Sequence, residues 1–260
     1  MYKSERKKDI LALLREQGFS STQNLAQQLA VSQTTIYRYL TELEQAGLIR
    51  KEYGGVTLGR PAERAGDDAD WRAQEHQPEK HDLARRAAAL VEAGDTVILD
   101  SSTTCVVFAQ ELAKRAPADV TLITNSARIV LALRRQPEFR VICTGGTYLA
   151  RHDTLVGSPA EEFVATVTAH KCFVSAYGVT PQACTDSDPA DVRVKRLMLA
   201  RARTKILLAD HSKFDRATTF TVATPGELNL IVTDAGTPEA TLAPYRALGL
   251  GVLSAAAEAA

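Results

Sequence analysis

Hydroxyls, carboxylates and glycines cluster at four points of this chain, each just after a short apolar run. The clusters are Asp100-Ser101-Ser102-Thr103-Thr104, Thr124-Asn125-Ser126, Gly145-Gly146 and Ala209-Asp210-His211-Ser212-Lys213. Where such a loop runs into a helix, its hydroxyls and the free backbone N–H groups of the first turn suit an anion such as a phosphate. Lys213 adds a point charge. One Ser/Thr loop alone is more simply an ordinary helix cap; recurrence at several strand ends is what points to a small phosphorylated ligand. The candidate effector-binding residues are therefore Asp100, Ser101, Ser102, Thr103, Thr104, Thr124, Asn125, Ser126, Gly145, Gly146 and Lys213.

A second set of residues, near the N-terminus, is placed for different chemistry. Ile36, Leu40 and Leu43 recur at i, i+4 and i+7, the apolar stripe of one helix. Thr34, Tyr37, Arg38 and Thr41 take the opposite face, and Ser32 stands where an N-cap belongs. A helix presented in this way fits the major groove of duplex DNA, with Ser32, Gln33, Thr34, Thr35, Tyr37 and Arg38 as the candidate contacts. Tyr39 falls at the edge of the apolar stripe and is expected to pack. Two short amphipathic helices also occur in proteins that never meet DNA, but three further features favour a winged helix-turn-helix. A helix with Leu25, Ala26 and Leu29 on one face precedes the turn, and an earlier one carries Ile10, Leu13 and Leu14 with Arg6, Lys7 and Lys8 near its start. Leu48 to Val56 reads as a two-stranded wing turning at Gly54-Gly55. Residues 1–60 carry a net charge of +3 within a chain that sums to zero, a modest electrostatic footprint.

These groups need a scaffold, and 260 residues have room for a small domain and a larger one. The expected division is a winged helix-turn-helix at 1–57, a linker at 58–79, a sensor body at 80–254 and an Ala-rich tail at 255–260. The linker is polar, of mixed charge and without a sustained apolar stripe; Trp71 within it is expected to dock on one of the domains. The body alternates short apolar strands with helices, which predicts an α/β fold with a largely parallel sheet covered on both faces. Ligands of such sheets bind at the C-terminal ends of the strands, where the polar loops lie.

Composition excludes other classes. At 45% hydrophobic and 24% charged residues, the chain reads as a globular protein with no apolar run of membrane-spanning length. No signal-peptide core follows the charged first residues, so a cytoplasmic protein is expected. Cys105, Cys143, Cys172 and Cys184 are widely spaced and predict buried thiols rather than a disulfide or zinc site, and the five histidines show no metal-ligand spacing. No cofactor and no metal are expected.

An ordered series of motifs gives the chain a resemblance over its whole length to DeoR-family bacterial transcriptional regulators. The head motif stands here as Val31-Ser32-Gln33-Thr34-Thr35-Ile36-Tyr37-Arg38-Tyr39-Leu40 with Leu43-Glu44 and Gly54-Gly55. Glu79-Lys80, Gly94-Asp95, Asp100–Thr104, Thr124-Asn125-Ser126, Gly145-Gly146, Gly157, Gly178, Val194-Lys195, Asp210–Phe214 and Thr233-Asp234 match the sensor. The resemblance implies a sensor domain similar to sugar-phosphate isomerases in fold. It also implies a repressor of a catabolic operon that leaves operator DNA when a phosphorylated sugar binds, and a homo-oligomer, dimer or tetramer. Three departures stand out: Tyr37-Arg38-Tyr39-Leu40 where Arg-Arg-Asp-Leu is usual, Ser102 in place of a glycine, and Asp191 in place of a glutamate. The alternative reading is a sugar-phosphate isomerase-like enzyme with an appended helical domain, using Asp100, Asp186, Asp191 and Lys213 as acids and bases. No His or Glu pairs evidently with them in the strand-end loops, so a regulator that is not an enzyme is the expected function.

Overall fold

A computed structural model describes residues 2–45, 48–52, 55–58 and 69–254. The chain divides into two compact units, Met1–Trp71 and Arg72–Ala260. The first contains α1 (Tyr2–Gln17), β1 (Phe19–Ser20), α2 (Thr22–Gln28), α3 (Gln33–Gln45), β2 (Ile49–Glu52) and β3 (Gly55–Leu58). Local chemistry sets the helix starts. Ser21 Oγ accepts from Asn24 N at 3.1 Å to begin α2, and Ser32 Oγ accepts from Thr35 N at 3.2 Å to begin α3. Between them Ala30 takes a left-handed backbone (φ 52) that turns the chain.

Ile10, Leu14, Leu25, Ile36, Leu40 and Leu43 close one core with Ile49 and Val56 of the wing, and Trp71 packs against it. Leu11 is buried there and Leu13 only partly, a small shift of the stripe expected on α1. β2 and β3 pair antiparallel with Glu52 opposite Gly55. Gly54, expected in the turn, lies outside the described residues. β1, which has no periodic signal because it is two residues long, pairs with β3 and makes the wing a three-stranded sheet.

Two helices occupy part of the stretch expected as linker: α4 (Ala69–Gln74) and α5 (Gln77–Ala88). The rest of that stretch, residues 59–68, and the expected tail, 255–260, lie outside the described residues. The second unit continues with β4 (Thr96–Leu99), α6 (Thr103–Arg115), β5 (Val120–Thr124), α7 (Ala127–Leu133), β6 (Phe139–Cys143), β7 (Thr147–Leu149) and β8 (Thr154–Val156). Then come α8 (Ser158–Thr166), β9 (Ala169–Val174), β10 (Gly178–Val179), β11 (Cys184–Asp186), α9 (Pro189–Ala200) and β12 (Ala202–Leu208). β13 (Phe220–Ala223), β14 (Leu230–Val232), α10 (Glu239–Ala247) and β15 (Gly251–Leu253) complete it.

Seven strands form one parallel sheet in the order β15-β14-β12-β9-β4-β5-β6. Successive strand residues point to opposite faces. Val97, Leu99, Leu122, Phe173, Ile206 and Leu208 pack with α5, α6 and α7 in one core, where Phe173 stacks on Phe108 at 4.3 Å. Ile98, Ile123, Cys172, Val174, Leu207 and Ile231 pack with α8, α9 and α10 in the other. With both faces covered, the strands read as continuous apolar runs. The chain builds β4, β5 and β6 outward in one direction, then returns to lay β9 against the other side of β4. The β4/β9 junction is therefore the topological switch point, where ligands of open parallel sheets bind. A hairpin (β7-β8) and a small sheet (β10-β11-β13) rise around these strand ends. Cys105, Cys172 and Cys184 are buried as expected, but Cys143 is exposed, because it ends an edge strand.

Candidate functional site

The outward face of α3 carries the candidate DNA contacts. Ser32, Gln33, Thr34, Tyr37 and Arg38 are exposed, Tyr37 with 55% of its surface. Thr35 is half-buried and its hydroxyl lies 2.9 Å from that of Ser32, so these two are engaged in capping the helix. Tyr39 is buried, as its place at the edge of the stripe requires. The Arg38 guanidinium sits 5.4 Å from the centroid of the Tyr39 ring, a cation–π contact that props the cation on the helix surface. Lys7 pairs with Glu42 at 2.6 Å and Lys51 with Glu44 at 2.5 Å, tying α1 and the wing to α3. A concavity of about 390 Å³ beside α3 is lined by Gln33, Tyr37 and Lys51, among others.

In the sensor, the loop after β4 meets α9 at the switch point. Asp100 Oδ2 accepts from Ser175 N at 2.9 Å across the β4/β9 junction, and its Oδ1 accepts from Ser102 N at 3.0 Å and from Ser102 Oγ at 2.5 Å. Ser101 Oγ donates to Asp191 Oδ1 at 3.2 Å, and Thr154 Oγ1 donates to the same atom at 3.1 Å. Asn125 Nδ2 donates to Thr154 Oγ1 at 2.8 Å, while Asn125 Oδ1 is buried with no donor. At the centre is Lys195, one turn after Asp191 on α9. Its Nζ lies 2.6 Å from Asp186, 3.0 Å from Asp191 and 3.4 Å from Asp100. Burial opposes the lysine's charge, but the three carboxylates prevail and hold its pKa well above the usual range. Burial likewise works against charge on Asp186, and the adjoining Lys195 prevails there and lowers the carboxyl's pKa.

The structure separates the expected effector residues into roles. Ser101, Ser102 and Thr103 keep a little exposed surface, whereas Thr124, Asn125 and Ser126 have none. Ser102 caps α6 by accepting from Cys105 N, and Ser126 caps α7 by accepting from Ile129 N. Thr124 Oγ1 accepts from Ser126 N. The hydroxyls of Ser102, Thr124 and Ser126 thus hold the loops. Thr103 turns instead toward a groove of about 410 Å³ between α6 and α7. Thr104 is buried in the first turn of α6. Gly145 and Gly146 have φ of 73 and 112; a Cβ on Gly146 would come within 2.6 Å of Val156 O, so only glycine fits against the hairpin.

Lys213 stands in a short 3-10 turn after β12, its Nζ 5.7 Å from the Tyr177 ring centroid. Burial lowers its pKa; Asp210 opposes this, and Arg72 and Arg216 add to the lowering. Lys80 is buried beside it and falls to about 8, by burial and then by the charge of Lys213. Lys80 Nζ donates to the carbonyls of Arg72 and Glu75, so it ties down the turn before α5. Lys195 is not among the candidate effector residues; its sequence signals are the Val194-Lys195 match to the sensor and the Asp191 to Lys195 spacing of i to i+4, which places both on one helix face.

Comparison with known proteins decides what carries these sites. A family model described as the DeoR-like helix-turn-helix domain matches residues 6–61, and one described as the DeoR C terminal sensor domain matches residues 75–235. The chain belongs to the DeoR family. It is 31% identical to the HTH-type transcriptional regulator GolR of Listeria innocua, over 97% of this chain and 98% of the relative. It is 31% identical to the HTH-type transcriptional repressor GlcR of Bacillus subtilis, over 90% and 89%. It is 27% identical to the glycerol-3-phosphate regulon repressor of Escherichia coli, over 92% and 93%. A ribose 5-phosphate isomerase from Methanocaldococcus jannaschii aligns with 52% of this chain and 53% of its own at TM-score 0.38 and 17% identity, a likeness too low to carry an argument.

This DeoR-family protein is a DNA-binding transcriptional regulator with a small-molecule sensor, not an isomerase. Two of its departures have structural explanations. Ser102 has φ −63, an ordinary backbone value, and its side chain supplies the α6 cap. Asp191 is short yet reaches Ser101, Thr154 and Lys195. Among the described residues no helix is long and apolar enough to cross a membrane.

Proposed function

We propose that the regulator is a cytoplasmic repressor of a sugar-catabolic operon, binding paired operator half-sites as a homo-oligomer and released by a phosphorylated sugar at the strand ends of its sensor. The observation that carries this reading is the two-part character of the site. Lys213, its Nζ 5.7 Å from the Tyr177 ring centroid, provides a cation on the strand-end loop after β12; Asp100, Asp186 and Asp191 around Lys195 provide hydrogen-bond acceptors at the same strand ends. A sugar phosphate has the matching halves, a dianionic head and a row of hydroxyl donors. The first-turn N–H groups of α6 add to the anion side. Asn125 Oδ1, buried without a donor, supplies an unsatisfied acceptor at the base of the carboxylate side.

The test is a thermal-shift screen of phosphorylated and unphosphorylated sugars, on the free regulator and on its operator complex. A phosphorylated sugar should raise the melting temperature and dissociate the complex, while its dephosphorylated form should do neither. Lys213→Ala should weaken that ligand tenfold or more, the loss of one charge-assisted contact of about 1.5–3 kcal/mol. Operator affinity without ligand should stay unchanged. If Lys213→Ala loses operator binding in the absence of ligand with its fold intact, Lys213 belongs to assembly or transmission and the site assignment is wrong.

A further inference from the structure

The sensor holds a second group of side chains that the effector reading leaves unused. His76, Glu79 and His211 each bring a donor atom to within 4.8 Å of the other two. They come from the start of α5 and the loop after β12, so the sequence spacing of the histidines hides them. Three features mark the cluster as built rather than accidental. His76 takes a left-handed backbone (φ 51, ψ 39) at the N-cap of α5, yet its side chain makes no capping hydrogen bond. A non-glycine residue there costs about 1–2 kcal/mol, and the cap role that normally justifies a polar side chain is absent. Glu79 Oε2 is buried and has no hydrogen-bond partner. A buried carboxylate oxygen without a partner is costly, and a cation would offset the cost.

The third feature is how His211 is held. Its Nδ1 lies 2.9 Å from Asp234 Oδ2, and Asp234 is itself fixed by the backbone N–H groups of His211 at 2.7 Å and Gly236 at 2.9 Å. A Cβ on Gly236 would come within 2.8 Å of Asp234 Oδ2 and 3.1 Å of His211 Nδ1, so the glycine leaves room for this pair. With Nδ1 donating to Asp234, the Nε2 lone pair is free to bind a metal. A carboxylate behind a histidine in this way is the usual support of a metal ligand. The His76 and His211 rings meet edge to face at 5.6 Å.

We propose that His76, Glu79 and His211 bind a divalent transition metal of the zinc type, with Asp234 orienting His211. Two imidazoles and a carboxylate suit zinc and its neighbours rather than calcium or magnesium, and three protein ligands leave a position for water. The metal would clamp the first turn of α5 to the loop that carries Lys213. This inference does not depend on the effector reading.

The test uses the full-length, untagged, metal-stripped protein titrated with zinc by calorimetry, and with cobalt(II) by visible absorption. One zinc per chain should bind, and cobalt should give ligand-field bands without a thiolate charge-transfer band. Glu79→Gln should weaken zinc at least tenfold, since even supporting groups outside the ligand set are worth about 10–100-fold. His76→Gly is the sharper variant. Glycine accepts the left-handed backbone without strain, so the metal-free variant should fold as well as the wild type yet lose zinc tenfold or more. Cys143→Ser removes the exposed thiol and should leave zinc binding unchanged. Absence of stoichiometric zinc binding, or equal binding by wild type and His76→Gly, overturns the proposal; so does loss of binding in Cys143→Ser alone.

Discussion

Lys195 is 3% exposed and faces three carboxylates, an arrangement in which each charge depends on the others. Lys195→Met keeps the volume but strands Asp100, Asp186 and Asp191 without their cation. Removing one partner of a buried ion pair typically costs about 3–5 kcal/mol, so this variant should show a large fall in the urea midpoint. The same network sets a pH dependence. Asp186 has a lowered pKa in the folded protein, so its contribution is present above the ordinary carboxylate range and lost as pH falls through the lowered value. Lys195 has a raised pKa, so its contribution is complete below the ordinary lysine value and lost as pH rises through the raised one. Urea unfolding across pH should therefore show a plateau with an acid limb, and Asp186→Asn should lower the plateau and flatten that limb; an unaltered limb would assign it to other carboxylates. In the head, Arg38, exposed and 5.4 Å from the Tyr39 ring centroid, is the candidate for a bidentate guanine contact. Arg38→Ala should cost about 1–3 kcal/mol at one operator base pair if it reads a base. Uniform loss with a shallower salt slope would make it a phosphate clamp instead.

Among the elements, the turn after β6 carries the clearest constraint. Gly146→Ala meets both a left-handed backbone and a carbonyl 2.6 Å away, whereas Gly94→Ala meets a left-handed backbone (φ 80) in open space. The second should cost only about 1–2 kcal/mol for its backbone. Gly146→Ala should cost clearly more, because β8 must shift as well, and thermal melts of the two variants test the difference. The seven sheet strands and the covering helices other than α8 were legible in the sequence because both faces are buried, so each strand is an apolar run such as Val97-Ile98-Leu99 or Ile206-Leu207-Leu208. The hairpin of β7 and β8 and the sheet of β10, β11 and β13 were not, because strands of two to four residues are set by tertiary pairing and show no period. The stretch before α5 read as linker because α4 and the first turn of α5 are polar; backbone carbonyls held by Lys80 keep them together. The candidate site was legible in its loops and less so in its centre. Asp100 and Ser101–Thr104 announce a strand end, while Lys195 of α9 and Asp186 of β11 are brought to 2.6 Å by the fold.

For the whole molecule, charge argues that one head is not enough. A net of +3 over residues 1–60 supports few phosphate contacts, and affinity falls steeply with salt for each contact made. Two heads on half-sites separated by a whole number of DNA turns would restore affinity. Light scattering at micromolar concentration should find dimers or larger assemblies; a monomer that still binds its operator tightly would contradict this. The proposed effector would act on the same equilibrium and is bound by linkage. It shifts DNA affinity only by its differential affinity for the DNA-bound and free states, typically about 1–3 kcal/mol of coupling. Coupling is reciprocal, so saturating operator DNA must weaken the phosphorylated sugar by the same factor by which the sugar weakens DNA binding. Calorimetric titration of the sugar into free regulator and into operator complex, beside fluorescence titration of operator with and without sugar, measures both factors. Equal factors are required of a sugar that binds the sensor and acts through the protein. A sugar that reduces operator binding while its own affinity ignores the operator competes in some other way, and the release mechanism proposed for this regulator would then be wrong.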